Sequence, residues 1–411
     1  MKITAFLFTL SLFLPASPAQ RSSGSPELPL TRLQRIRHVL SRFAFGPSPG
    51  LVARLNAMGI DAWFEEQLRG KVPDPPFLEK KLGTMKTLKL TGQAILRTFR
   101  PPYGRKRKKL SREERVRLNK LRNIPAREVK DWVLLRAVYG AGRVLETSCD
   151  FFRNHFNVYL NKGNVRLLAG TYERDVIRAE ALGNFGRMLK KSARHPAMLY
   201  YLDNYLSRCP AELRRGRRNR RFPPRSRRKQ RGLNENYGRE ILELHTLGAD
   251  NYYTQKDVIQ AARILTGWTV RFTQDNPSGF FFRKEWHWPG DKVFLGVKIP
   301  ARPKNPIAEG EQLLEILVSH PGTAHYLARK LCSHFVADDP PRAMVARVAR
   351  VFLKTGGDLK SVYRAILKDP LFFSPRFYMT KVKRPFEFVV SALRATGARV
   401  DATFRLQRIL K

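Results

Sequence analysis

The stretch Thr355-Gly356-Gly357-Asp358-Leu359-Lys360-Ser361-Val362-Tyr363-Arg364-Ala365-Ile366-Leu367-Lys368-Asp369-Pro370 decides the fold class. Two glycines interrupt whatever precedes them, and the Asp358 carboxylate can accept from the free N–H groups of a first helical turn. Asp369-Pro370 stops the segment, because proline has no N–H to donate and its ring clashes with the preceding turn. Leu359 to Leu367 therefore reads as one capped helix.

The same punctuation recurs outward in both directions. Ile307 to Ser319, Gly322 to Val336 and Ala343 to Lys354 read as helices, and Thr254-Gln255-Lys256-Asp257 opens another with a capping box, ending near Gly267. Towards the N-terminus, Phe45-Gly46-Pro47-Ser48-Pro49 looks like a turn feeding a helix that ends at Gly59, with Ser48 as its cap and Pro49 at its first position. Asp61 can cap Ala62 to Arg69, which presents Trp63, Phe64 and Leu68. Lys130 to Leu160, Tyr172 to Leu189 and Pro196 to Leu206 continue the helical reading. His195-Pro196 and His320-Pro321 each precede a helix, where an imidazole can satisfy a free N–H.

The period changes only between residues 268 and 299. Trp268 to Phe272 and Phe280 to Arg283 flank Asn276-Pro277-Ser278-Gly279, and Lys292 to Ile299 alternates. The expected fold is mainly α, a multi-helix globular domain with a small β-hairpin or meander insertion near 268–299. The absence of βαβ alternation, of GxGxxG and of a P-loop argues against nucleotide-binding α/β folds.

The chain has 411 residues and is 43% hydrophobic and 11% aromatic, enough for a core and against wholesale disorder. It lacks the ~18-residue apolar run that a spanning helix needs. Lys2, the apolar Ile3 to Leu14, and Ser17-Pro18-Ala19 before Gln20 read as a secretory signal. The expectation is a signal peptide at 1–19, a single domain over 20–411, and an exported protein of the periplasm or cell envelope. Cys149, Cys209 and Cys332 are too few for a disulfide scaffold and have no zinc spacing; Cys332 sits in an apolar stripe as an inert core thiol.

Net charge is +44, and two segments concentrate it. Residues 97–122 hold twelve Lys/Arg, among them Arg105, Lys106, Arg107, Lys108 and Lys109; residues 208–231 hold twelve more, including Arg214, Arg215, Arg217, Arg218, Arg220, Arg221, Arg227 and Arg228. Such blocks bind polyanions through counterion release with little sequence information. Few aromatics interleave them, and export removes the chromosome, so specific nucleic acid is disfavoured. Anionic polysaccharide or lipid headgroups are the expected partners.

Chemistry-bearing residues gather in three places. Asn234 to Gly248 reads as a helix ended by Gly248, with Asn236, Glu240 and Glu243 on one face and Glu235 paired to Arg239 at i, i+4. His245 is turned away from Glu243. One reading is a salt-bridged helix cemented by Arg239; the other is a metal-assisted hydrolase using Glu240, Glu243, His155 and His245. The second place is Asp150 to Asn157, where His155 reads as a hydrogen-bonded core residue. The third is His287-Trp288-Pro289-Gly290-Asp291-Lys292, a tight turn or a ligand-contacting loop. HExxH, GxSxG and CxxCH are absent, so no cofactor and no dedicated metal site is expected.

Arg37 to Pro49 (RHVLSRFAFGPSP), Phe151 to Val158 (FFRNHFNV), His195 to Asn204 (HPAMLYYLDN), Leu233 to Gly248 (LNENYGREILELHTLG), Tyr253 to Thr269, His320 to Val336 and Thr355 to Leu367 together resemble the bacterial DUF1800 family. The resemblance implies a predominantly helical, commonly exported protein and, as a partner, a second exported protein similar to sulfatases and alkaline phosphatases. This sequence departs from the family's pattern at Phe152-Arg153, where an aromatic-His pair is usual, and at His287-Trp288, where His-Asp is usual. The basic block replaces a shorter link, and relatives usually continue beyond Lys411.

Overall fold

A computed structural model describes residues 28–102, 110–213, 232–249 and 252–400. The signal segment, Arg105 to Lys109 and Arg214 to Arg228 lie outside the described residues.

Helices run in the order α1 (Arg32–Phe43), α2 (Leu51–Met58), α3 (Ile60–Arg69), α4 (Pro76–Gly83), α5 (Gly92–Phe99), α6 (Arg112–Arg122), α7 (Ile124–Tyr139), α8 (Arg143–His155) and α9 (Val165–Tyr172). A π-helical segment, Glu173–Arg178, follows α9 directly. Then come α10 (Phe185–Arg194), α11 (Pro196–Tyr201), α12 (Glu235–Glu243), α13 (Gln255–Ile264), α14 (Ile307–Ser319), α15 (Pro321–Phe335), α16 (Arg342–Lys354), α17 (Leu359–Lys368) and α18 (Pro385–Thr396). The chain is mainly α, and among the described residues no helix is long and apolar enough to cross a membrane.

Helix α17 behaves as its sequence dictates. Asp358 Oδ2 accepts from the Ser361 amide at 2.8 Å, and Leu359, Val362, Tyr363, Ile366 and Leu367 are buried on one face. The glycine turn ahead of it docks on the start of α10, where Phe185 N–H donates to Gly357 O and Leu359 N–H to Gly183 O, both at 2.9 Å. The core then extends through α1 and α15, where Phe43 stacks on Phe335 with ring centroids 4.5 Å apart. Such aromatic burial supplies more stabilisation than any polar contact on the surface.

Both His-Pro expectations are met. His195 Nδ1 accepts from Ala197 N–H at 3.1 Å and His320 Nδ1 from Gly322 N–H at 2.9 Å, each ring filling a free donor at a helix start. The Thr254 capping box is present, and Cys332 is buried, with its thiol pushed up to about 12. Lys130 to Leu160 divides at Gly140: a Cβ there would stand 2.5 Å from Arg136 O.

Several boundaries differ from the expectation. Helix α3 starts at Ile60 behind Gly59, so Asp61 lies within its first turn and does not cap it, and Tyr172 to Leu189 is divided between the end of α9, the π-helical segment and α10. Helix α2 starts at Leu51 behind Gly50, whose φ of 74° only glycine adopts readily; Ser48 instead takes the Leu51 N–H on its carbonyl. Helix α12 stops at Glu243, because Leu244 and His245 N–H both turn back to Glu240 O. The β insertion is two separate antiparallel hairpins: β1 (Trp268–Val270) with β2 (Phe280–Phe282), and β3 (Lys292–Phe294) with β4 (Val297–Ile299). The second closes on Leu295 and Gly296, both at positive φ, as a two-residue hairpin turn demands. Finally, the latter part of the first basic segment is α6, started by a Ser111–Glu114 capping box.

Candidate functional site

The polar centre of the molecule lies at the C-terminal half of α8. Arg153 grips Glu173 through Nε and Nη2 at 3.1 and 3.0 Å and reaches Asp150 Oδ1 at 3.3 Å. The other Asp150 oxygen takes Arg384, which also binds Glu387 Oε1 at 2.8 Å. Burial pushes the Asp150 carboxyl above the usual range despite both cations. The Arg153 guanidinium is held charged by Glu173 against its own burial.

The π-helical segment makes this arrangement possible. Its wider turn places Glu173 and Arg178, five residues apart, against the same helix, so that Glu173 meets Arg153 and Arg178 meets Glu146. The second pair is bidentate, at 2.8 and 2.6 Å, and both side chains are nearly buried.

A cleft of about 650 Å³ opens above the Arg153–Glu173 pair, lined also by Lys130, Asn157, Asn161 and Tyr172. Most of the remaining lining is apolar, from Val129, Val133, Leu134, Phe156, Leu160 and Phe386.

Asp150, His334 and Glu387 are the one trio of His, Cys, Asp and Glu among the described residues whose ligand atoms lie close enough, within 4.8 Å, to share a cation. Arg384 already bridges the two carboxylates, so a guanidinium charge stands where an ion would. Burial, helped by Arg384, lowers the His334 pKa to about 3.

The quartet Glu240, Glu243, His155 and His245 does not form one site. His155 and His245 come together, with ring centroids 6.4 Å apart, and both are buried. Lys330 Nζ donates to His155 Nδ1 at 3.0 Å, so the ring is neutral and its Nε2–H donates to His245 O at 3.1 Å. This is the hydrogen-bonded core histidine that the sequence suggested. Glu240 and Glu243 sit apart from them and half-buried; Glu243 accepts from Tyr253 OH at 3.5 Å, and burial with the neighbouring Glu243 pushes the Glu240 carboxyl up. Arg239 pairs with neither: it donates to Gln255 Oε1 at 2.6 Å, while Gln255 Nε2 donates to Glu235 at 2.9 Å.

The His287 turn folds inward. Lys292 Nζ lies 2.5 Å and His287 Nε2 3.0 Å from Glu309 Oε2, and His287 Nδ1 lies 3.0 Å from Thr266 O, all buried. Lys292, buried and facing Glu309, is lowered by desolvation; Glu309 is held below its usual value by His287 and Lys292, against its own burial. This turn is a structural staple tying the second hairpin to α14.

Sequence reasoning missed Glu173, Lys330, Glu309, Arg384 and Glu387. A signal existed for the last two: Pro385 followed by Glu387 marks a helix start with a carboxylate in its first turn. The others are single charges on helices of mixed composition and become visible only in three dimensions.

Fold and polar centre define a mainly helical protein with a largely apolar cleft beside a buried ion-pair network. Residues 38–411 match the family model described as "Protein of unknown function (DUF1800)", and the chain belongs to that family. No curated protein and no solved structure matches it.

Proposed function

We propose that this protein is an exported, envelope-associated binding protein that attaches to anionic polysaccharide or lipid headgroups and presents its helical domain to a partner. The observation that carries the reading is α6. It has no buried residue, and Arg112, Arg115, Arg117 and Lys120 are exposed along it. Its acids, Glu113 and Glu114, lie in the first turn, where they complement the helix dipole, so the cations of the following turns face solvent. With a chain charge of +44, such a surface attracts linear polyanions at long range. A second exported protein similar to sulfatases and alkaline phosphatases is the partner that the family suggests.

Retention on immobilised heparin and on lipopolysaccharide, measured against salt with residues 20–411, tests the reading. Counterion release predicts a steep loss, with a log–log slope of roughly −0.7 to −0.9 per charge neutralised on nucleic acid and less on sparser polymers. Deleting residues 214–231, or introducing Arg115→Glu with Arg117→Glu, should each shallow the slope while circular dichroism stays unchanged. A slope that neither change moves would overturn the proposal.

A further inference from the structure

A second pocket, of about 690 Å³, lies between α4, the C-terminal end of α7, the start of α8 and the C-terminal end of α18. Phe77, Val138, Tyr139 and Leu393 give it apolar walls, and four cations line it: Arg143 and Arg394, with Lys81 and Arg399. The Tyr139 hydroxyl is used elsewhere, donating to Ala398 O at 3.0 Å and accepting from Val400 N–H at 2.6 Å.

Arg394 is 2% exposed. Its Nη1 makes one long bond to Ala137 O, at 3.4 Å, while Nε and Nη2 are buried without a hydrogen-bond partner. Arg143 donates to Val138 O at 3.3 Å, again a neutral carbonyl. The nearby carboxylates are engaged by other arginines: Glu146 holds Arg178 in a fork, and Asp74 takes Arg136 and the Ala141 N–H. Burial lowers both guanidinium groups, Arg143 lowers Arg394 further, and the nearby Glu146 offsets this only in part. A guanidinium does not shed its proton in a protein, so this buried charge calls for an anion.

We propose that the pocket binds a small amphiphilic carboxylate, its head group on Arg143 and Arg394 and its aliphatic body along Phe77, Val138, Tyr139 and Leu393. A planar carboxylate matches a guanidinium fork in a way that a spherical ion does not. The volume falls in the range of sites for small organic ligands. Arg143 and Arg394 belong to neither α6 nor the Arg153 cleft, so the site is independent of polyanion attachment.

The test is calorimetric titration of the mature chain, residues 20–411, with dodecanoate below its micelle concentration. Dodecanol, dodecyl phosphate and sulfate serve as the other arms. The expected result is saturable binding of one dodecanoate, at least tenfold weaker in Arg394→Met and in Arg143→Met, with dodecanol indifferent to either change. Ligand-free Arg394→Met should melt no lower than the unaltered protein, because an uncompensated buried charge has gone. Should that variant fail to fold, Phe77→Ala on the exposed rim remains: it should weaken dodecanoate several-fold and leave butanoate unchanged. Equal binding of sulfate would mean an adventitious ion only, tighter dodecyl phosphate would mean a phosphate site, and no saturation would mean that the pocket takes no such ligand. Each of these overturns the proposal.

Discussion

The imidazole Nε2–H of His155 donates to the main-chain carbonyl of His245 across 3.1 Å, with Lys330 fixing the tautomer from the other side. The bond ties the end of α8 to the turn after α12, and the Lys330 ammonium donating to Nδ1 requires His155 to be uncharged. Burial, with Lys330 and His245 as neighbouring charges, holds His155 well below the usual value, and burial with Lys330 brings His245 to about 3.

Acid should therefore unfold the protein early. Burial also lowers His38 and His195 to about 4 and His334 to about 3, from 6.5 in the unfolded chain. Between about pH 6.5 and these folded values the unfolded state binds more protons than the folded one. Stability is then complete above 6.5 and falls as the pH drops, by roughly 1.4 kcal/mol per pH unit for each histidine still neutral when folded. Urea midpoints at pH 7, 6 and 5 should decrease in that order; a flat series would contradict the buried, neutral imidazoles.

Replacing Lys330 probes the same pair. Lys330→Met removes the donor to His155 Nδ1 and the positive charge that disfavours both imidazolium forms. The orphaned ring nitrogen should cost ~1–3 kcal/mol at pH 7. Both histidine pKa values should rise, read from their Cε1–H resonances in a pH titration. Unmoved resonances would mean that Lys330 does not set the imidazole charge.

The staple at the second hairpin should be the least forgiving ion pair. Lys292 and Glu309 have side chains 1% and 2% exposed, so Glu309→Gln strands an ammonium in the interior. Breaking a buried pair in this way costs ~3–5 kcal/mol, whereas replacing both members by apolar groups of similar size often restores stability. Thermal melts should show a large loss for Glu309→Gln and a partial recovery for Lys292→Met combined with Glu309→Leu. A single substitution as mild as the double would show that the pair is solvated.

Sequence carried the helices well where capping chemistry is local. Asp358, Thr254, His195 and His320 each satisfy an amide two or three residues away, and such contacts are readable in one dimension. Boundaries set by main-chain geometry were less legible: Gly50 displaced Ser48 as the cap of α2 through its left-handed φ. The site was half legible. FFRNHFNV located the polar centre, but its partners lie 20 residues away on a π-helical segment and more than 230 away at the start of α18. A π turn has no composition signature, and Arg384 is one cation among many in a chain of +44.

The polar helix α12 gives the last prediction, and its sign reverses the sequence expectation. If Arg239 cemented this helix through its carboxylates, removing one would be destabilising. Arg239 instead donates to Gln255, and Glu240 lies one turn from the like charge of Glu243. Like charges at that spacing cost ~0.2–0.5 kcal/mol in a helix, so Glu240→Gln should stabilise by about that much at pH 7. Burial and Glu243 raise the Glu240 carboxyl above its unfolded value, so the ionised wild-type side chain opposes folding at neutral pH. That penalty is relieved as the pH falls through the raised folded value and is gone below the unfolded one. The advantage of the variant should therefore shrink towards pH 4, in paired denaturant melts at pH 7 and pH 4. Arg239→Ala serves as the contrast, losing its bond to Gln255 and weakening the link to Glu235. A loss above 1 kcal/mol for Glu240→Gln at pH 7 would restore Glu240 as a structural anchor.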